Sequence, residues 1–177
     1  NLNGGTSRVS TGSSSWAGAV NLGAASTLST TGSAMSLSGL VNDNGFGITL
    51  TGTGNFSLSN ASNTIRTLAT GAGSTIGSLN MKNSVSLAVG LVNATNNVTI
   101  ANTADLTLMS GQGITTASGN IVLAGSKFIN AAGVNALTVS NGHNWLIWSA
   151  NATPLATVAN GGDDTGNLVN NFGQYNA

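Results

Sequence analysis

Short runs in which apolar and polar residues alternate recur along this 177-residue chain: "MSLSGL", "GITLTG", "NFSLSN", "SVSLAVGL", "NVTIAN", "DLTLMS" and "NIVLAG". Alternation places successive side chains on opposite faces of an extended backbone, so each run predicts a short strand with one face inward. Residue type argues against long helices. Gly occurs 25 times, and β-branched, Asn and Ser residues fill the spaces between; all are unfavourable in helix interiors.

The runs are also periodic. Trp16, Leu37, Leu58, Leu79, Ile100 and Ile121 lie 21 residues apart, and the residues just before them (Ser15, Ser36, Ser57, Ser78, Thr99 and Asn120) are small and polar. Leu87, Leu108 and Ile129 keep the same spacing, while Ile48, Leu68 and Val89 lie 20 or 21 apart. A helix-free period of this size, holding two or three short strands, predicts an all-β fold: a single-strand parallel β-helix, or β-solenoid, of about 21 residues per coil. Coils stack at about 4.8 Å, so six of them make a rod roughly 30 Å long. Gly and Asn are expected at positive-φ corners. The single proline fits, because an inner coil donates its backbone N–H groups to its neighbour. The rival is an antiparallel β-sandwich, whose hairpins impose no strict period.

The next position of the 21-residue column is Gly142, and there the pattern breaks. Two of the three tryptophans, the only histidine and the only proline follow in "NGHNWLIWSANATP". The expected division is therefore 1–140 for the coils and 141–177 for a C-terminal capping segment with a loop-rich tail. Solenoid ends expose open core and unpaired strand edges. Trp145, Ile147 and Trp148, with Phe172 and Tyr175, are the expected aromatic cap or interface; the alternative makes Trp145, Trp148 and Tyr175 a sugar-stacking platform.

Composition narrows the function classes. Charged residues make up 5 % of the chain and cancel to zero, against about 25 % in an ordinary domain. No basic patch exists to neutralise several phosphates, so nucleic-acid binding is not expected. Near-zero net charge favours association. The dispersed aliphatics exclude the disorder typical of charged, aliphatic-poor chains, and no run reaches the roughly 20 apolar residues of a membrane helix, so membrane insertion is not expected. "NLNGGTSRVS" lacks the apolar core of a signal peptide, as expected of a mature product or fragment. Zero cysteine excludes disulfides and thiolate metal sites, and suits an extracellular protein.

Candidate chemistry is sparse. Polysaccharide-cleaving β-helices need clustered carboxylates, but Asp43 and Asp105 fall about three coils, or roughly 14 Å, apart. Asp163 and Asp164 are weak calcium candidates beside a plain polar-turn reading, and the calcium-binding nonapeptide pattern is absent. His143 is the only histidine, and no "GxSxG" elbow occurs. Neither catalysis nor a cofactor is expected. Sequons begin at Asn55, Asn60, Asn93, Asn97 and Asn151, no more than random placement of so many Asn, Ser and Thr residues gives; they are sites of possible glycosylation. An ice-binding threonine ladder starting from Thr49 and Thr51 fails one 21-residue step later, at Thr70 and Ala72.

"NVTIANTADLTL", "GITTASGNIVLAGSKFINAAG" and the closing "WLIWSANATP…FGQYNA" resemble the β-helical regions of large bacterial exoproteins of the filamentous-haemagglutinin type. The resemblance spans roughly residues 80–177 and is only compositional upstream. It implies a right-handed parallel β-helix, secretion or display at the surface of a Gram-negative cell, and a part in adhesion or biofilm. Two functional expectations follow. One is a structural or adhesive segment of a larger surface protein, touching neighbouring modules or surface glycans. The other is a subunit of an extracellular filament, because an uncapped N-terminal coil can accept another copy head-to-tail.

Overall fold

The computed structural model describes residues 2, 8–10, 12–168 and 174–175, with only backbone pairing for 8–10 and 174–175. Its strands are all parallel and wind into a β-solenoid of about six turns, roughly 22 residues each. Apart from one 3-10 turn at Val158–Asn160, the described residues contain no helix.

Two sheets run the length of the solenoid. Sheet A stacks Arg8–Ser10, Ser26–Thr30, Ile48–Gly52, Thr67–Thr70, Leu87–Val89, Leu106–Leu108 and Phe128–Asn130. Sheet B stacks Ser14–Trp16, Ala34–Leu37, Asn55–Leu58, Ser78–Asn83, Val98–Asn102, Ile121–Gly125, Trp145–Ser149 and Gln174–Tyr175. A short third side changes corner along the rod. In the early windings it follows sheet B, as Val20–Asn21 on Val41–Asn42 and then the bridge from Asn42 to Thr64. In the later windings it follows sheet A, as Ile76 bridged to Ala94, then Val92–Ala94, Ile114–Thr116 and Leu137–Val139.

This migration corrects the 21-residue column. In sheet B, Trp16, Leu37 and Leu58 do superpose. The next winding carries both versions of the third side, so Leu58 lies against Met81, and Leu79 lies against Phe56. Two neighbouring inward columns result: Met35, Phe56, Leu79, Val98, Ile121 and Trp145, beside Leu37, Leu58, Met81, Ile100, Leu123 and Ile147. Leu79 and Ile121 thus belong to a different column from Ile100. The 21-residue series hops between the two. Both face inward because a slip of two residues preserves the face.

Sheet A behaves in the same way. Ile48, Leu68 and Val89 stack as expected. Leu87 pairs with Leu106 and Leu108 with Val89, while Ile129 faces outward opposite Thr107. Thr49 lies between Thr27 below and Ala69 above, so the hydroxyl ladder is two windings tall, one winding offset from its expected position.

The pattern does not end at Gly142. Trp145–Ser149 forms a full strand of sheet B on Ile121–Gly125, displaced by three inserted residues. Beyond it, Ile129 bridges to Asp164 and Gln174–Tyr175 pairs with Trp148–Ser149, so the tail adds a further partial winding. Stacked coils continue past residue 140.

The core is one aliphatic filling from Val20 to Ile147. Corners are closed by two devices. At some, glycine is obligatory: Gly52 has φ +88°, and a Cβ there would sit 2.1 Å from the Thr30 carbonyl oxygen of the winding below. At others, asparagine turns inward. Among described residues only Asn44 and Asn167 have positive φ outside glycine, so most asparagines do not act as positive-φ corners.

Candidate functional site

Inward polar side chains come first, because they determine what remains on the surface. Asn63, Asn83, Asn102 and Asn130 are buried. Asn63 donates to the carbonyls of Leu58 and Lys82, and its Oδ1 accepts from the Val41 N–H. Asn83 accepts from the Ile65 N–H, and its Nδ2 donates to the Ile65 and Val85 carbonyls and to Asn102 Oδ1 at 3.0 Å. Asn102 donates onward to the Ala104 and Asp105 carbonyls. Asn130 serves Gly133 and Thr165. Each amide satisfies backbone groups left unpaired where the chain leaves a sheet, which buried backbone requires.

Two carboxylates also face inward. Asp43 is fully buried; its Oδ1 accepts from the Gly45 N–H at 2.8 Å and from the Arg66 guanidinium at 3.2 Å, and its Oδ2 from the Arg66 N–H at 2.5 Å. Asp163 stands one winding above Phe128, where Oδ1 accepts from the Phe128 N–H and from Asn151 Nδ2, while the buried Oδ2 has no hydrogen-bond partner. Asp164 uses Oδ1 to accept from the Gly166 N–H. Neighbours on extended backbone point to opposite sides, and the two weak calcium candidates, Asp163 and Asp164, accordingly turn their carboxylates to different partners. Asp105 accepts from the Ser126 hydroxyl at 2.7 Å. Among the described residues no group of three or more His, Asp or Glu gathers. His143 lies in a turn closed by its own N–H on the Ser140 carbonyl.

The five sequons are not equivalent. Asn55 and Asn97 are exposed, and each uses Oδ1 as an acceptor, from the Ser78 hydroxyl and from the Asn120 N–H. Asn60 donates its amide to the Ser38 carbonyl, and Asn151 donates to Gly161 and Asp163. Asn93 is half-buried within the third side.

The aromatic cluster divides between the two faces of its strand. Trp145 and Ile147 are each 7 % exposed and are the last members of the two inward columns of sheet B among the described residues. Trp148 is half-buried and outward. It therefore does not plug the core with them, and Trp145 cannot share a sugar platform with it. Phe172 lies outside the described residues, and for Tyr175 only the backbone pairing with Ser149 is described. Trp16, half-buried, heads one of the same columns in the early windings.

Trp148 instead walls a surface groove of about 280 Å³. Below the indole, its column steps down to Ala124, whose small side chain lines the hollow, and then to Ala101. Gly125 continues the floor, and Thr103, Ser126 and Ala150 form the opposite side. None of the lining residues is charged. A second hollow, about 410 Å³, is framed by Leu91 and Met109 over Ala69 and Gly90 on the outer flank of sheet A.

No known protein family, curated protein or solved structure matches the chain. The residues and the fold therefore carry the functional reading.

Proposed function

We propose that this chain is a non-catalytic structural and adhesive rod, a segment of an extracellular bacterial surface protein of the filamentous-haemagglutinin type that residues 80–177 resemble. The observation that carries the reading is how the polar side chains are used. Inward and half-buried polar side chains join winding to winding through Asn83–Asn102, Asp43–Arg66 and Asp105–Ser126. Internal polar groups hydrogen-bonded across windings rigidify a fold, as a rod that spaces and presents other surfaces needs. Most of the exterior is neutral Ser, Thr and Asn, such as the sheet-edge column Asn55, Ser78, Asn97, Asn120 and Asn144. Such a face hydrogen-bonds glycans or a matrix without charge selectivity.

The test displays the chain on non-adherent bacterial cells and measures their retention under shear on glycan-coated and abiotic surfaces. Retention well above that of bare cells, without turnover of a polysaccharide panel by the purified chain, is expected. Retention equal to bare cells, or depolymerisation of any panel member, contradicts the proposal.

A further inference from the structure

We infer that the groove beside Trp148 is a binding subsite for a neutral sugar, one or two residues of an uncharged glycan chain. The inference deepens the adhesive reading and rests on it for its biological role. Three observations carry it.

First, Trp148 departs from its column. Ala101 and Ala124 occupy the equivalent outward position in the two windings beneath it, so the indole overhangs a step of small residues. A half-buried tryptophan above so shallow a floor offers a flat apolar surface beside open volume. The less polar face of a pyranose ring, with its axial C–H groups, stacks on such a surface.

Second, hydrogen-bonding capacity surrounds it unused. Neither the indole N–H of Trp148 nor the hydroxyl of Thr103 has a partner among the described residues. Ser126 donates its proton to Asp105, so its oxygen keeps lone pairs for an incoming hydroxyl. A donor, a donor–acceptor and an acceptor thus belong to residues that line the groove with the apolar indole, the few polar groups typical of a small-ligand site. Third, the absence of charge in the lining disfavours sulfated or uronic sugars, which require a cation, and favours neutral ones. A groove of about 280 Å³ fits one to two sugar rings and no more. Affinity per subsite is therefore weak, and adhesion relies on many copies acting together.

The experiment titrates the purified 177-residue chain with cellohexaose, laminarihexaose and mannohexaose, and with a heparin hexasaccharide as the charged control, following binding by calorimetry and Trp fluorescence. Binding of at least one neutral hexasaccharide at sub-millimolar to millimolar concentration is expected, weakened at least tenfold by Trp148→Ala and largely kept by Trp148→Phe. Ala150→Arg fills the mouth from an exposed position; it is expected to abolish binding with the urea midpoint unchanged, which guards against a misfolded Trp148→Ala. No binding of any neutral probe, equal binding of heparin, or binding untouched by Ala150→Arg overturns the subsite. The adhesion assay separates the two ideas. Cells displaying Ala150→Arg that still adhere sink the groove and leave the adhesive rod standing, whereas wild-type cells that fail to adhere sink the rod reading itself.

Discussion

At the scale of single residues, the fold depends on polar groups turned inward, and these were the least legible in the sequence. Alternation identifies which residues face in but cannot say that Asn83, two residues after Met81, continues the inward face as the strand ends. The signal was present: "NSV", "NTA" and "NAA" each start on an inward asparagine, Asn83, Asn102 and Asn130. Corner chemistry of the backbone is what such an asparagine suggests, whereas in the fold its side-chain amide does the bonding. Asn83→Ala leaves the Ile65 N–H and two carbonyls without partners. Each such group costs about 1–3 kcal/mol, so a loss of about 2–4 kcal/mol is expected in urea denaturation, while exposed Asn80→Ala stays within about 0.5 kcal/mol. The two inward aspartates respond in opposite directions. Both oxygens of Asp43 accept hydrogen bonds, so Asp43→Asn turns an amide N–H toward a donor and costs about 1–3 kcal/mol. Asp163 has one oxygen unpartnered, and Asp163→Asn removes a buried charge while Oδ1 keeps both donors. The same melts are expected to show Asp163→Asn unchanged or more stable, by up to about 1 kcal/mol.

At the scale of the element, strand identity and inward face were legible almost throughout, because a period of two is readable in runs as short as "NVTI". Register was not. The winding from Leu58 to Met81 spans 23 residues and the next, from Met81 to Ile100, spans 19. Their average hides the slip, and no local feature of the strands reports which corner holds the third side. The same insertion effect made Trp145–Ser149 look like the end of the repeat, when it is a strand of sheet B arriving three residues late. The candidate groove was therefore only half visible. Trp148 stood out by composition, but its separation from Trp145 follows from their odd spacing on one strand. Close stacking also makes some glycines irreplaceable. Gly52→Ala combines positive φ with a Cβ driven into the Thr30 carbonyl, and it is expected to lower stability by about 2–4 kcal/mol. Gly18→Ala, with nothing within 4 Å of its added methyl, is expected to change the denaturation midpoint little.

At the scale of the whole molecule, the eight strands of sheet B extend over about 34 Å at the usual strand spacing. Each winding touches only its neighbours, so stability is a sum of nearest-neighbour terms. Amides of central windings, such as Leu79 and Val98, which donate to Asn97 and Asn120, are expected to exchange with solvent far more slowly than those of the exposed loop around Leu155 and Val158. Slower exchange in the loop than in sheet B would contradict the stacking. The most direct measurement is cross-linking, which the absence of native cysteine makes unambiguous. Ser57 and Asn80 face outward in register on adjacent strands, and Ser78 lies two residues off that position. In-register Cα atoms about 4.8 Å apart lie within disulfide range, whereas a diagonal of two residues puts them about 8 Å apart, beyond it. The chain carrying Ser57→Cys with Asn80→Cys is expected to form an intramolecular disulfide under mild oxidation, and the chain carrying Ser57→Cys with Ser78→Cys is not. The reverse result restores the strict 21-residue column and contradicts the winding described above; disulfides in neither contradict the solenoid itself.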